Sequence, residues 1–428
     1  MIMEPNYYKK NLAILADVFK NYREQKGYSI RGISRSINLA YSTISDIENG
    51  KVLPNIETLQ LLFKAISVSF HTNEEYLSNM FQTMESLWNS IYYDDVQKAK
   101  ENYDVLSNHQ HELMHSLLYV EFQLATKAYE IIILKKDKLN DLDELSKYHK
   151  HYTDYQCHLF KLLYAVNHLQ NNQVTKALTL LEEDRHMVDD EKTDALMLYY
   201  LTLAYHHMYK NHETMIIASK AAEFFIQHHN TNRKINLDLI KLSSLIDLAN
   251  FGEAEKVIKS LDNTLDWVDG KTKLKDNLLA LKAYYYYRHK KYQEAMVTLD
   301  DLKEEQVNHV FLRAVISFRN KNLEDTKKWL DKTTEFSTTK KNNHYKHLTN
   351  LFLYFIGHEV TDEKLRLAVE ETQRFPYRFE SVNLSYLAHD LVVYYYMQRK
   401  EYEIAITISN RWLDVVKDRD YYETIKPN

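Results

Sequence analysis

Apolar residues recur at three- and four-residue spacing along nearly the whole chain, which is the periodicity of amphipathic helices. Near the N-terminus the stripes are short: Ile30, Ile33 and Ile37, then Ile44 and Ile47, then Ile56, Leu59, Leu62, Phe63 and Ile66. Ser29 stands where an N-cap belongs, Asn38-Leu39 separates the first two stripes, and Gly50 closes the second, as a glycine just past a helix does. The pattern predicts one helix from about Ile30 and a second from about Ala40 to Asn49. With Leu12, Leu15 and Phe19 these helices complete a small core, while Tyr41, Ser42, Thr43, Ser45 and Asp46 face outward.

Beyond residue 75 the stripes lengthen and repeat at intervals of about 30 to 46 residues. A bulky residue stands three positions before a small one in Val96/Ala99, Val174/Ala177, Phe251/Ala254, Tyr292/Ala295, Leu323/Thr326 and Tyr402/Ala405. Twelve residues upstream of Ala177, Ala295 and Thr326 stand Ala165, Ala283 and Ala314. Small residues at both places let paired helices approach closely, with the bulky residue filling the groove beside them. Only 6 Gly and 4 Pro interrupt 428 residues, so the body is expected to be almost all helix, in about eight or nine helical hairpins. The expected division is a head at 1–70, a linker helix at 71–90 that includes Thr72 to Trp88, and a repeat domain at 91–428.

Charge is unevenly shared. The first 70 residues hold nine Lys and Arg against six Asp and Glu, near +3, so the net −5 of the whole chain leaves about −8 on the body. A weakly basic head on an acidic body confines any contact with DNA to the head.

The head resembles the Cro/C1-type helix-turn-helix family of bacterial and phage repressors over roughly residues 8 to 70, on the core ISRSINLAYSTISDIENGKVLPNIETL. In that family the second helix of the pair enters the major groove. The resemblance implies base reading by Tyr41, Ser42 and Asp46, and phosphate contacts near Ser29, Arg31, Arg35, Thr43, Asn49 and Lys51. It also implies a structural ion pair between Arg23 and Glu48. Two departures stand out: Ile30 occupies a place where the family often has Gln, and the Asp46 carboxylate can accept only from a donor such as the cytosine amino group.

The body resembles the tetratricopeptide repeat, a helical hairpin that stacks into a superhelix with a concave inner surface. The fold class is therefore all-α, a helix-turn-helix domain followed by a tetratricopeptide-like α-superhelix. Head and body together resemble the Rap, Rgg, NprR, PlcR and PrgX family of peptide-responsive regulators. That likeness implies a cytoplasmic homodimer that binds double-stranded operator DNA through the head and a short signalling peptide in the groove. Counting back from the small residues puts Asn236, Asn277, Tyr284, Asn308 and Tyr394 on the inner face, and Tyr205 with one residue of slack. Asn both donates to and accepts from a peptide backbone, and Tyr adds a rigid ring with a hydroxyl. Most of the 34 tyrosines, including those of the runs Tyr284–Tyr287 and Tyr394–Tyr396, are read as packing, because consecutive helical residues point in different directions.

Other chemistry is sparse. His111-Glu112-Leu113-Met114-His115 matches the H-E-x-x-H zinc pattern but lacks a following third ligand, and His206-His207-His212 and His228-His229 lack Cys partners. No phosphate-cradling glycine loop or nucleophile elbow is present in the sequence, so no catalysis, metal or cofactor is expected. A lone Cys157 and the lack of a membrane-length apolar run fit a reducing cytoplasm without membrane association. Two alternatives stay open: a repeat scaffold that binds a protein partner, and a peptide-independent phage or plasmid repressor.

Overall fold

The computed structural model describes residues 5–182, 190–266, 272–339, 343–373 and 382–417. All regular elements among them are helical, and the chain divides into two compact units, Met1–Met197 and Leu198–Asn428.

The first unit opens with α1 (Pro5–Gln25), α2 (Ile30–Ile37), α3 (Tyr41–Glu48) and α4 (Ile56–Ala65). Ile14, Leu15, Phe19, Ile33, Ile44, Ile47, Leu59, Leu62, Phe63 and Ile66 form their buried core. Of the Ile30, Ile33 and Ile37 stripe only Ile33 is fully buried; the other two lie half-buried at the ends of an eight-residue helix. Asn38 takes the left-handed conformation (φ 53°) that ends α2, and Gly50 does the same after α3 (φ 69°). Arg23 clamps α1 to α3 by donating to both carboxylate oxygens of Glu48, at 2.5 and 2.8 Å, and to the carbonyl of Tyr28 at 2.9 Å. Both partners are buried. The expected structural ion pair is thus present.

Next come α5 (Glu74–Tyr92), α6 (Val96–Asn108), α7 (Gln110–Leu113), α8 (Tyr119–Ala128), α9 (Leu139–Ser146), α10 (Asp154–Gln170) and α11 (Val174–Glu182), with a π-helical turn at Tyr129–Ile133 running on from α8. The segment expected as a linker helix is half of a hairpin. Leu77, Met80, Met84, Leu87, Trp88 and Ile91 on α5 are buried, and the helix packs on α6 and α8. An apolar stripe this long needs a partner surface, which a bare spacer would not supply.

The head packs on these first hairpins. Asn11 Nδ2 donates to the carbonyl of Leu117 at 3.1 Å and reaches the Glu121 carboxylate at 3.3 Å, which also accepts from Gln156 at 2.5 Å. The His115 ring lies 4.8 Å from that of Tyr22 and 6.0 Å from that of Phe63, inside the head's own core. His71 N donates to the His115 carbonyl at 2.9 Å. The His111 and His115 of the zinc-like pattern therefore sit at this seam, where α7 spans only four residues and His115 Nδ1 is engaged by the His111 carbonyl at 2.8 Å.

Helix α12 (Glu191–His207) leads into the second unit, which continues with α13 (Asn211–Gln227), α14 (Thr231–Asp247), α15 (Phe251–Asp266), α16 (Thr272–Arg288), α17 (Tyr292–Asp300), α18 (Val307–Arg319), α19 (Leu323–Thr339), α20 (Asn343–Phe355), α21 (Asp362–Gln373), α22 (Val382–Gln398) and α23 (Tyr402–Lys417). From α14 on, each even-numbered helix pairs with the next as a hairpin, and successive even-numbered helices pack side by side.

One local rule sets the register. A left-handed residue other than glycine closes seven hairpin turns: Asp94, Asn172, Tyr209, Ala249, Lys290, Lys321 and Lys400, with φ between 55° and 61°. Five residues later stands a fully buried small residue, respectively Ala99, Ala177, Thr214, Ala254, Ala295, Thr326 and Ala405. Ala165, Ala283 and Ala314, and Thr202 at the equivalent place, are likewise at 0% exposure, so the helices do meet at the small positions. The bulky partner behaves less uniformly. Val174 is buried, but Val96, Leu323 and Tyr402, which like it are the first residues of their helices, are more than half exposed.

Removing Arg23 leaves the buried Glu48 carboxylate without its counter-charge, a loss of about 3–5 kcal/mol for a buried pair. Arg23→Ala is expected to raise hydrogen exchange throughout α2 and α3 in the full chain, measured by mass spectrometry, while α14–α19 keep their protection.

Candidate DNA interface and inner-face site

Helix α3 buries Ile44, Ile47 and Glu48 and presents Tyr41, Ser42 and Asn49 to solvent. Ser42, Ser45 and Asn49 share one face at helical spacing. Ser45 belongs to this face although it is absent from the candidate contacts; its place one turn after Ser42 is the signal that finds it. Ala40 provides no side-chain cap, so the first N–H groups of α3 are open to an oxyanion.

The other candidates fall in two groups. Arg31 and Arg35 are exposed on α2, and the Arg31 guanidinium lies 6.0 Å from the Tyr41 ring centroid, bringing a cation and a ring together across the turn. Ser29, Asp46 and Asn49 are occupied within the fold. Ser29 Oγ accepts from Gly32 N at 3.0 Å and caps α2. Asn49 Nδ2 donates to the Ser45 carbonyl at 2.8 Å. Asp46 is half-buried and pairs with Lys51 at 3.7 Å, so its carboxylate is turned partly toward the exit loop. Thr43 is half-buried and lies at the edge of the face.

In the second unit, Asn236, Asn277 and Asn308 occupy one register position, each 18 residues before its hairpin's small residue, on the adjacent helices α14, α16 and α18. All three are half-buried, and the buried Oδ1 of Asn308 meets no hydrogen-bond partner. Asn236 Nδ2 donates to the Asn232 carbonyl at 3.1 Å. Eleven residues on along the same helix faces come Asp247, Arg288 and Arg319, again in one register position. Arg288 donates to the Tyr284 hydroxyl at 3.2 Å, and Asp247 lies close enough to both for their charges to interact.

Residues 19–72 match the family model Helix-turn-helix. Between 77% and 81% of the chain is similar to solved structures of one architecture. A Rap protein complexed with competence and sporulation factor aligns with TM-score 0.67 at 15% identity, covering 81% of this chain and 99% of that one. NprR in complex with its cognate peptide NprX aligns with TM-score 0.59 at 20% identity, covering 77% and 98%. The apo form of the quorum sensor NprR from B. thuringiensis aligns with TM-score 0.58 at 18% identity, covering 79% and 99%. No curated protein matches the sequence. The head is a helix-turn-helix domain, and the chain has the Rap and NprR fold.

Within this Rap-type fold the three inner-face tyrosine candidates lie in different surroundings. Tyr205 is buried and stands nine residues before Thr214, two positions off the register that Tyr284 and Tyr394 share, with Lys210 Nζ 5.9 Å from its ring centroid. Tyr284 is in register but only 5% exposed, held in the core by Ile235, Leu239 and Leu242 of α14 and by the Arg288 bond. Burial pushes its phenol pKa well above the ordinary range. Tyr394 is 53% exposed, with its ring 5.0 Å from Phe355. The tyrosine runs divide among separate surroundings: Tyr285 stacks on His289 at 5.2 Å while Tyr284 faces Asp247 and Arg288.

Asp247 is the residue that sequence reasoning missed. Its carboxylate is buried and neither oxygen meets a hydrogen-bond partner. Burial raises its pKa from 3.8 to about 7 against a smaller opposing pull from Arg288. A carboxylate raised in the folded state holds its proton there after losing it in the unfolded chain, so stability falls as pH rises between these two values. Asp247→Asn removes that slope. The melting temperature of the variant relative to the natural chain is expected to be near parity at pH 4 and higher at pH 8, by the equivalent of roughly 2–4 kcal/mol, measured by calorimetry at both pH values.

Proposed function

We propose that this protein is a DNA-binding transcription regulator that responds to a short peptide, binding its operator through α3 and the peptide along α14, α16 and α18. The observation that carries the reading is the coexistence, in one chain, of a helix-turn-helix head at residues 19–72 and a row of half-buried asparagines on adjacent helices of a Rap-type body. An asparagine row suits an extended peptide because each amide offers a donor and an acceptor to backbone groups whatever the peptide's sequence. Two of the structures that share the fold are complexes, NprR with its cognate peptide NprX and a Rap protein with competence and sporulation factor, which supports the same use here.

One α3 reads only a few base pairs, so useful specificity needs two heads on two half-sites. The protein accordingly acts as a homodimer on a pseudo-palindromic operator. Among the described residues no helix is long and apolar enough to cross a membrane, and a regulator of this kind works in the cytoplasm. Peptide control requires unequal affinity of the peptide for two states of the protein, since equal affinity shifts nothing.

Tyr41→Ala is expected to reduce binding of its own promoter DNA at least tenfold in a gel shift, with unchanged retention of peptides from host culture medium by native mass spectrometry. The triple variant Asn236→Ala, Asn277→Ala, Asn308→Ala is expected to do the reverse in the absence of peptide, losing retention and keeping the shift. If either variant loses both properties while still folded, head and groove do not act as separate binding sites and this reading fails.

A further inference from the structure

The contact between the head and the first hairpins centres on one titratable ring. His115 is buried, with its ring 4.8 Å from that of Tyr22 on α1 and 6.0 Å from that of Phe63 on α4. Backbone and side chain are both held: the His115 carbonyl accepts from His71 N at 2.9 Å, and Nδ1 lies 2.8 Å from the His111 carbonyl. A carbonyl can only accept, so Nδ1 carries the proton of the neutral ring and Nε2 is left as an acceptor. Nε2 is buried and meets no hydrogen-bond partner. A second proton there makes an N–H without an acceptor and a charge without a counter-charge, and both are costly away from water.

The surroundings add to that cost. The titratable and charged groups that face the ring are Tyr22 on α1, Lys26 just past α1, His71 after α4 and His111 on α7, while α4 itself offers the Phe63 ring. Lys26 is fixed beside the seam by donating to the Ile66 carbonyl at 3.0 Å, and the His111 ring lies 5.1 Å from that of His115. Burial first, and then the charges of His111, His71 and Lys26, hold the His115 pKa below the ordinary 6.5 against the opposing pull of the His111 carbonyl. Released into water, the ring regains its ordinary value. The docked head thus takes up this proton less readily than the released head, so docking is at full strength above about pH 6.5 and weakens as pH falls below it.

We propose that His115 is a proton-operated latch, whose protonation releases the helix-turn-helix head from the first hairpins. The latch goes beyond the peptide reading, since it needs neither the groove nor a ligand. Its consequence for DNA rests on the DNA-binding reading of α3: a released head must be reoriented when it binds, and that ordering lowers affinity. One proton changes the ratio of released to docked heads by at most about tenfold per pH unit.

The test is hydrogen exchange of the full-length protein, followed by mass spectrometry at pH 7.5 and pH 5.5, with each rate divided by that of an unstructured chain at the same pH. In the natural chain, exchange in α4 and in α7 is expected to rise at least fivefold at the lower pH, while α14–α19 are unchanged. His115→Phe keeps an aromatic ring in the seam without a titratable nitrogen and is expected to show less than a twofold rise; His115→Gln serves as a second neutral variant should the first fold poorly. An unchanged seam in the natural chain, or an equal rise in the neutral variants, overturns the latch. In gel shifts on its own promoter DNA the natural chain is expected to bind at least threefold more weakly at pH 5.5 than at pH 7.5, and His115→Phe about equally at both. Seam exchange that responds while DNA affinity does not overturns the consequence for DNA and upholds the latch. Absence of DNA binding at either pH removes the DNA-binding reading and leaves the exchange result to decide the latch.

Discussion

Close approach of paired helices at small residues is the constraint on which the body depends. Ala99, Ala177, Thr214, Ala254, Ala295 and Thr326 have no exposed surface, and each lies five residues after a turn residue forced into the left-handed conformation. The turn fixes where the second helix starts, and the small side chain fixes how near it can come. With both set, the face that the first helix leaves uncovered is set as well. That is why Asn236, Asn277 and Asn308 fall in one row, and why Asp247, Arg288 and Arg319 fall in another. The candidate site is a by-product of hairpin geometry, furnished afterwards with polar side chains.

The head obeys a different constraint. Its helices are too short to hold by apolar area alone, and a buried ion pair from α1 to α3 fixes the helix that presents Tyr41, Ser42, Ser45 and Asn49. Such a pair contributes less to stability than to a single defined arrangement, since its desolvation offsets much of its attraction. The pair ties α3, and with it the exposed face, to α1. Asp46 and Asn49, which would otherwise be free to meet DNA, are partly occupied in ending the helix.

Much of this was legible in the sequence because helices obey a local period. Ser29 as a cap, Asn38 and Gly50 as stops, and the small residues of the repeats are short-range signals, and each stands where the pattern puts it. The asparagine row followed from the same counting. Tyr205 did not, since it entered only with one residue of slack, and the left-handed turn at Tyr209 sets the register from Thr214. The failures share a cause: they concern what a residue meets across the fold. Nothing local distinguishes α5 as half of a hairpin from α5 as a spacer. His115 matched a zinc pattern in sequence, yet its ring is a packing piece against Tyr22 and Phe63. Asp247 reads as an ordinary helix-end carboxylate until its missing partners are seen.

The seam joining the head to the first hairpins has a mechanical meaning. Asn11, Glu121 and Gln156 link α1, α8 and α10 through one carboxylate, and the His115 ring is inserted between two aromatic rings of the head. A tethered module on a flexible string would search for its target over a sphere set by the string. This one is mounted, with α3 held at a fixed orientation to the hairpin formed by α5 and α6. The orientation of the DNA-facing helix is therefore a property of the first hairpins as much as of the head, and loosening Glu121 would turn a bracket into a hinge.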